Sequence, residues 1–428
     1  MTSRASHSRT RRGIIPIALR LMAGLFLVVL IWSCASVPGL KDEAVINHIR
    51  VPFVRVLLEE NTDVVKLTSD ASFAIECLQG GVQRVYYSSQ PVTVHNRGQL
   101  LRVENSRGDV IQEGMEEVNI LPRGRGNRIR VNGNRYRGIM KVLPHGQTVR
   151  LVNIVYVEDY LRGVVPPEIG PREPNEIEAV KAQAVAARTY TMAHLQQYGA
   201  EPYDMKSTII DQLYQGVEIE NDLINKAIDA TSGYVLTYED QFINAYYHST
   251  CGGMTDDIVD VWERDAEPYL KPVADTDCNW SKYYNWKEVF TEPQLRGRLE
   301  QFLSRDRGRD LRIAPITDIR TEGLTAGGRV IELQVFTRDD VYRFYKDRIR
   351  WVIGRSSNPD LILPSDRFEV KISRDGQGNV TAVTFAGQGY GHGVGMCQCG
   401  AIGKSRLGWQ YGDILTYFYT GTELKQLY

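Results

Sequence analysis

The sequence predicts an α+β protein, mixed in type: a β-rich N-terminal region followed by an α/β core that an inserted α/β region interrupts. Three observations carry that reading. Residues 45–150 alternate apolar and polar side chains in short runs separated by turn residues. A helical periodicity then begins near Pro174 and ends before Gly199. From 281 to 355 the chain becomes more charged, and helix and strand patterns mix. With 428 residues and 43% hydrophobic content there is enough chain for two or three packed domains, so folding requires no disulfide or metal staple.

Taken in order, residues 1–34 read as a lipoprotein-type export signal. Arg4, Arg9, Arg11, Arg12 and Arg20 precede the apolar run LMAGLFLVVLIW, which is too short to span a bilayer comfortably. Ile31-Trp32-Ser33-Cys34 resembles a bacterial lipobox, which predicts cleavage before Cys34, its lipidation, and attachment to a membrane facing the periplasm or cell wall. A short linker, 35–44, follows. The net charge of −1, with no basic stripe beyond the N-terminus, argues against nucleic acid as a partner and leaves polysaccharide or protein open.

The β-rich region, 45–150, includes IRVPFVRVLL and SFAIECL, with turns at Gln79-Gly80-Gly81, Asn96-Arg97-Gly98 and Asn132-Gly133-Asn134. The core segment 151–280 holds one carboxylate in an unusual setting. Glu168 follows Pro166 and Pro167, which fix φ and remove two donors, so it should project from a stiffened turn rather than from a helix. In the next helix, Ile177, Val180, Ala184, Ala187 and Thr191 make a narrow stripe of small residues. Lys181 and Arg188, seven apart, share a face on which they would either bind an anion such as a sugar carboxylate or form ordinary surface ion pairs. Further on, a short helix at 221–231 and strands at 234–238 and 242–248 are expected. The inserted region, 281–355, should contain a helix at 292–304 and strands near 330–336 and 341–344.

The last segment, 356–428, carries GQGYGHGVGM. Gly387, Gly389, Gly391, Gly393 and Gly395 alternate, so an extended strand would place them on one bare face, open to close approach, with Gln388, Tyr390 and His392 on the other as candidate substrate contacts. The spacing never satisfies GxGxxG and lacks Gly-Lys-Ser/Thr, so no nucleotide cofactor is expected.

If Cys34 carries lipid, five of the six cysteines remain in an oxidising compartment. Cys251 and Cys278 flank one loop and are the expected disulfide, contributing roughly 3 kcal/mol by loop closure. His248, Cys251, His392, Cys397 and Cys399 include good zinc ligands, but their H-x-x-C and C-x-C segments lie more than a hundred residues apart, so no metal site is expected.

The motifs NRYRGIMKV, VEDYLRGVVPPEI, EAVKAQAVAARTY, DQLYQGV, AYYHSTCGGMTDDIVDVW, PYLKPVAD and GYGHGVGMCQCGA together resemble the bacterial SpoIID/LytB group of stage II sporulation D and amidase-enhancer proteins. The resemblance implies action on peptidoglycan glycan strands, as a lytic transglycosylase cutting strands whose stem peptides an amidase has removed. It places the catalytic glutamate of the VVPxE motif at Glu168, and it makes Gln212, Tyr214 and Gln215 candidates to line a glycan cleft. Lys181 and Arg188 would then suit the lactyl carboxylate freed with the stem peptide. Some members hold zinc through His and Cys residues before QxYxG; DMKSTIIDQLYQG here has neither. The family also includes enhancers that bind glycan and stimulate a partner amidase, so that second function stays open.

Overall fold

The computed structural model describes residues 45–46 and 49–428 except 359, the first few by backbone alone. The export signal, Cys34 and the linker lie outside the described residues. Among those residues no helix is long and apolar enough to cross a membrane.

The alternating pattern of the N-terminal region becomes two sheets, antiparallel except where the short strand 205–206 joins the edge of the first in parallel. One has seven strands in the spatial order 205–206, 53–62, 148–156, 139–145, 117–122, 73–79 and 82–88. The other has six, in the order 134–136, 129–131, 64–69, 92–97, 100–105 and 110–115. Every second side chain turns inward, for example Val54 and Val56, Val65 and Leu67, Val92 and Val94, and Val118 and Ile120. These residues form one apolar core that continues into the helices behind them.

Among the described residues eight α-helices follow: α1 Val157–Ile169, α2 Ile177–Ala193, α3 Asp222–Ala230, α4 Ile258–Val261, α5 Glu292–Arg307, α6 Arg348–Ile353, α7 Gln398–Arg406 and α8 Tyr411–Phe418. α2 occupies the centre of the helical layer. The expected narrow stripe does not describe it, because residues 179 and 180 and 182–191 are all buried, leaving almost no solvent face. Alanines at 179, 182, 184, 186 and 187 explain this: small side chains on every side let α1, α3, α7 and α8 close in around it.

The inserted region has its own apolar core, built from Phe290, Leu295, Leu299, Leu333, Val335, Phe344 and Ile349. The expected helix and strands are present as α5, Val330–Thr337 and Val341–Tyr345. Its boundary at 355 needs correction. Strands Phe368–Arg374 and Val380–Gln388 pair with Asn285–Thr291, and Phe368, Val383 and Phe385 complete this second core. A cleft of about 820 Å³, lined by Trp262, Phe302, Arg343, Tyr345 and Trp351 among others, borders this part of the molecule and does not include Glu168.

Candidate functional site

α1 grows directly out of the strand Thr148–Tyr156, and its first turn carries Glu158 and Asp159 where the helix dipole favours anions. Leu161, Val164 and Val165 bury its inner face. The prolines do not end it. Pro166, Pro167 and Glu168 all lie in its last helical stretch, and the chain breaks only at Gly170, whose φ of 73° turns it away. The expectation of a non-helical turn therefore fails for a local reason. Each proline removes only its own hydrogen bond to the carbonyl four residues before it, and one carbonyl so freed is reused: Gly163 O accepts the N–H of Gln215 at 3.2 Å. Gly163 itself has no Cβ, and one placed there would sit 2.5 Å from the ring of Tyr214. The prolines and this glycine thus prepare a seat for the 212–216 loop.

That loop delivers a donor to the carboxylate. Glu168 Oε1 accepts the Leu213 N–H at 3.1 Å, while the Glu168 carbonyl accepts Gln398 Nε2 at 3.0 Å. The side chain is half-buried. Burial pushes its carboxyl up to about 7, against the opposing pull of the Leu213 N–H. No neighbouring carboxylate is needed for this rise, and neither Lys181 nor Arg188 lowers it. At neutral pH such a group is poised both to give a proton and to take one back.

The cations proposed as anion ligands are committed elsewhere. Arg188 is fully buried, forms a two-pronged pair with Glu158 at 2.7 Å for each prong, and donates to Tyr234 O at 3.0 Å. A guanidinium enclosed in this way has no face to offer a ligand from solvent. Lys181 Nζ lies 2.6 Å from Glu178 Oε1, so the ordinary ion-pair reading holds for it.

Gln212 and Tyr214 also turn inward. Gln212 is 1% exposed; its oxygen accepts from Tyr160 Oη at 3.2 Å and Thr191 Oγ1 at 2.9 Å, and its nitrogen donates to Ala187 O and Tyr247 Oη, each at 3.2 Å. All four of its hydrogen-bonding positions are filled, which makes it a bracket between α1, α2 and the strand Tyr247–His248 rather than a cleft residue. Tyr214, 4% exposed, donates to Asn153 Oδ1 at 2.9 Å and packs on Tyr160 and Tyr136. Gln215, by contrast, is exposed, two residues from the Leu213 amide.

The glycine run is not a strand beyond Gln388. Gly389, Gly391, Gly393 and Gly395 have φ of 86°, 113°, 87° and 69°, which a pleated strand cannot use. The close approach expected of a bare backbone does occur: a Cβ at Gly395 would lie 2.1 Å from Tyr246 O, and one at Gly391 would lie 2.7 Å from His248 Cβ. His392 is held by this zigzag. Its Nδ1 accepts the Val394 N–H at 3.1 Å, so Nε2 carries the proton and donates to Tyr247 O at 2.9 Å. Burial pushes the imidazole down to about 4, and with both nitrogens occupied it is a structural histidine, not a substrate ligand. Gln388 bonds Asn285 Oδ1 at 3.3 Å, and Tyr390, half-buried, lies against Tyr283 with ring centroids 4.5 Å apart.

Among the cysteines, Cys251 and Cys278 meet as expected, their sulfurs 3.4 Å apart, but they are unbonded and not alone. The parallel pairing of Tyr247–His248 with Met396–Cys397 brings Cys397 to the same place, where Asp275 joins them. Distance along the chain was a poor guide to distance in space. Of the other residues weighed for a metal, His248 directs Nδ1 to Val394 O at 3.1 Å, His392 is used as above, and Cys399 receives a hydrogen bond from Thr250 Oγ1 at 3.4 Å.

A family model described as "Stage II sporulation protein" matches residues 145–238, the span of α1, α2 and the 212–216 loop. Stage II sporulation protein D of Bacillus subtilis is 30% identical over 294 residues, covering 64% of this chain and 76% of that protein. The chain belongs to the stage II sporulation protein D family. An uncharacterized protein of Brachyspira hyodysenteriae is 31% identical over 340 residues, covering 79% of this chain and 85% of that one. The protein named "Amidase enhancer" of Bacillus subtilis is 30% identical over 295 residues, covering 62% of this chain but 40% of its own length. Residues 276–395 match a domain of unknown function (DUF8618), which spans the second core as far as Phe385 and on to Gly395.

Within this family framework, two contributors to the site escaped the sequence reading. Gln398 stands inside GMCQCGA, where the cysteines drew attention and the amide did not. Leu213 acts through its backbone N–H, which its side-chain identity could not announce.

Proposed function

We propose that this protein cleaves glycan strands of the bacterial cell wall as a lytic transglycosylase, with Glu168 as its single acid and base. The observation that carries the reading is the Glu168 carboxyl, half-buried in the last turn of α1 and raised to about 7 by that burial. In the first step the protonated carboxyl gives its proton to the leaving O4 as the C1–O4 bond breaks. The resulting carboxylate then takes the proton of the muramyl C6 hydroxyl as O6 closes onto C1. The products are a 1,6-anhydro end and a free O4 hydroxyl; Glu168 regains its proton and no water is consumed. One carboxyl serves both steps, unlike the paired carboxylates of ordinary glycosidases.

Gln215, beside the Leu213 amide, is the residue of the DQLYQGV motif left with exposed side chain to meet a sugar. Gln388 and Tyr390 remain candidates for more distant contacts. The substrate would be strands already stripped of stem peptides, supplied by a cell-wall amidase, and the enzyme would be exported and held to a membrane by lipid on Cys34.

The relative named "Amidase enhancer" favours a second reading, a module that binds glycan and stimulates an amidase without cutting. Incubation of the purified protein with amidase-treated peptidoglycan, followed by mass spectrometry for anhydromuramyl ends, separates the two. The enzyme reading expects such ends from the wild type and none from Glu168→Gln. Absence of anhydro ends from the wild type, together with amidase stimulation that survives Glu168→Gln, would establish the second reading instead.

A further inference from the structure

We propose that Cys251, Cys278, Cys397 and Asp275 form a closed structural zinc site. All four are buried, and their ligand atoms lie within 4.8 Å of one another. Tetrahedral zinc with Zn–S bonds of about 2.3 Å sets its sulfurs roughly 3.8 Å apart. Cys251 Sγ lies 3.4 Å from both Cys278 Sγ and Asp275 Oδ2. Three thiolates and one carboxylate make a soft, four-ligand set that suits zinc and not calcium or magnesium, and with no position left for water the site would be structural.

The surroundings are those of a thiolate centre. Backbone amides point at the sulfurs: Cys251 N–H and Gly400 N–H approach Cys397 Sγ at 3.2 and 3.3 Å, and Gly253 N–H approaches Cys251 Sγ at 3.3 Å. Gly252 and Gly253, with φ of 82° and 122°, form the turn that aims this last amide. Lys404 Nζ lies 3.5 Å from Asp275 Oδ1 and 2.6 Å from Asp277 Oδ2, which leaves Asp275 Oδ2 facing the sulfurs. Such donors and cations disperse the negative charge of the ligand set. A Cys251–Cys278 disulfide would leave a third thiol and a buried carboxylate without a shared purpose.

The ion would join three segments distant in sequence: the 251–253 turn, the 275–278 loop and the start of α7. Cys397 caps α7 and is followed by Gln398, which holds the Glu168 carbonyl, so the site would brace the floor under the acid. Binding at neutral pH would release the thiol protons to solvent.

The test uses the full chain, purified with Zn²⁺ present and then freed of loose metal by gel filtration. Expected are about one zinc per chain by elemental mass spectrometry and, after exchange with Co²⁺, the charge-transfer and visible bands of tetrahedral cobalt thiolate. Cys397→Ser should lose the metal, whereas Cys399→Ser, outside the cluster, should keep it. A wild-type chain free of metal, or one whose peptide map shows Cys251 cross-linked to Cys278, overturns the proposal; so does zinc content unchanged by Cys397→Ser. The wild-type measurements decide even if the Cys397 variant fails to fold.

Discussion

At the scale of single residues, the raised Glu168 carboxyl has a consequence that requires no substrate. An unfolded glutamate titrates near about 4.3, whereas the folded one titrates at about 7. Between these values the folded chain holds a proton that the unfolded chain has lost, so stability falls as pH rises through that window. The stabilising contribution is fully present below about 4.3 and gone above about 7, a difference of roughly 3–4 kcal/mol. Glu168→Gln, which has no charge to desolvate and can still accept from Leu213, should match the wild type near pH 4 and exceed its stability by that amount near pH 8. Parallel urea-unfolding curves for the two proteins across this range would contradict the burial argument. The same group should set the falling limb of cleavage rate near pH 7, because the acid step requires the protonated form. Arg188 supplies a second residue-scale expectation. Its burial against Glu158 means that Arg188→Ala leaves the half-buried Glu158 carboxylate without its cation, held only by Gly233 N–H and Tyr428 Oη, and should cost about 3 kcal/mol. Lys181→Ala, which breaks a half-buried surface pair, should cost under about 1 kcal/mol. The sequence put these cations on one face by spacing alone. It could not rank them, because which neighbours enclose α2 is decided by segments more than thirty residues away, such as the strand carrying Tyr234.

At the scale of elements, the decisive contact is the seating of the 212–216 loop on α1. Gly163→Ala should raise helix propensity by up to about 1 kcal/mol, yet its methyl would meet the Tyr214 ring at 2.5 Å and Gly216 O at 3.0 Å. Overpacking of that kind costs about 1–3 kcal/mol, and it shifts the loop that carries the Leu213 amide. The expected outcome is intact helix content by circular dichroism with cleavage reduced on the order of 100-fold. Gly297→Ala in α5 provides the contrast. Nothing lies within 4 Å of its added Cβ, so it should stabilise by up to about 1 kcal/mol. If both alanines stabilised equally and left activity alone, the seating argument would be wrong. The alternating strands and the main helices were legible because their periodicity is local. The proline pair and the glycine run were misread because each local rule had a tertiary exception: Gln215 supplies the donor for one carbonyl freed by the prolines, and residues 246–251 pack against the glycines so closely that positive φ, not pleating, explains them.

At the scale of the whole molecule, a buried cation helps to join the two apolar cores. Arg329, 0% exposed, sits at the end of the hairpin that leads into Val330–Thr337 of the second core. Its Nε lies 2.7 Å from Asp256 Oδ2, in the segment that follows the 251–253 turn, and its Nη1 lies 2.6 Å from Asp366 Oδ1. It also donates to Gly391 O at 3.2 Å and to Cys251 O at 3.4 Å, and the absence of a Cβ at Gly393 leaves room for its guanidinium, which would otherwise be 2.3 Å away. None of this is visible in the sequence, whose pattern predicts an end to the second region at 355, because strand pairing from 285–291 to 380–388 and an ion network spanning 256 to 391 leave no periodic trace. Removing the guanidinium strands two buried carboxylates at the junction, so Arg329→Ala should cost about 3–5 kcal/mol. The loss falls on the contact between the cores and spares the interior of each. Calorimetry should therefore resolve the single unfolding transition expected of the wild type into two, with the second core melting apart from the helical layer. Arg329→Lys, which keeps the charge but cannot reach Asp256, Asp366 and both carbonyls from one planar fork, should fall between the two. A single transition in Arg329→Ala, at the wild-type temperature, would mean that the cores are coupled by their apolar packing and that this buried network contributes specificity without strength.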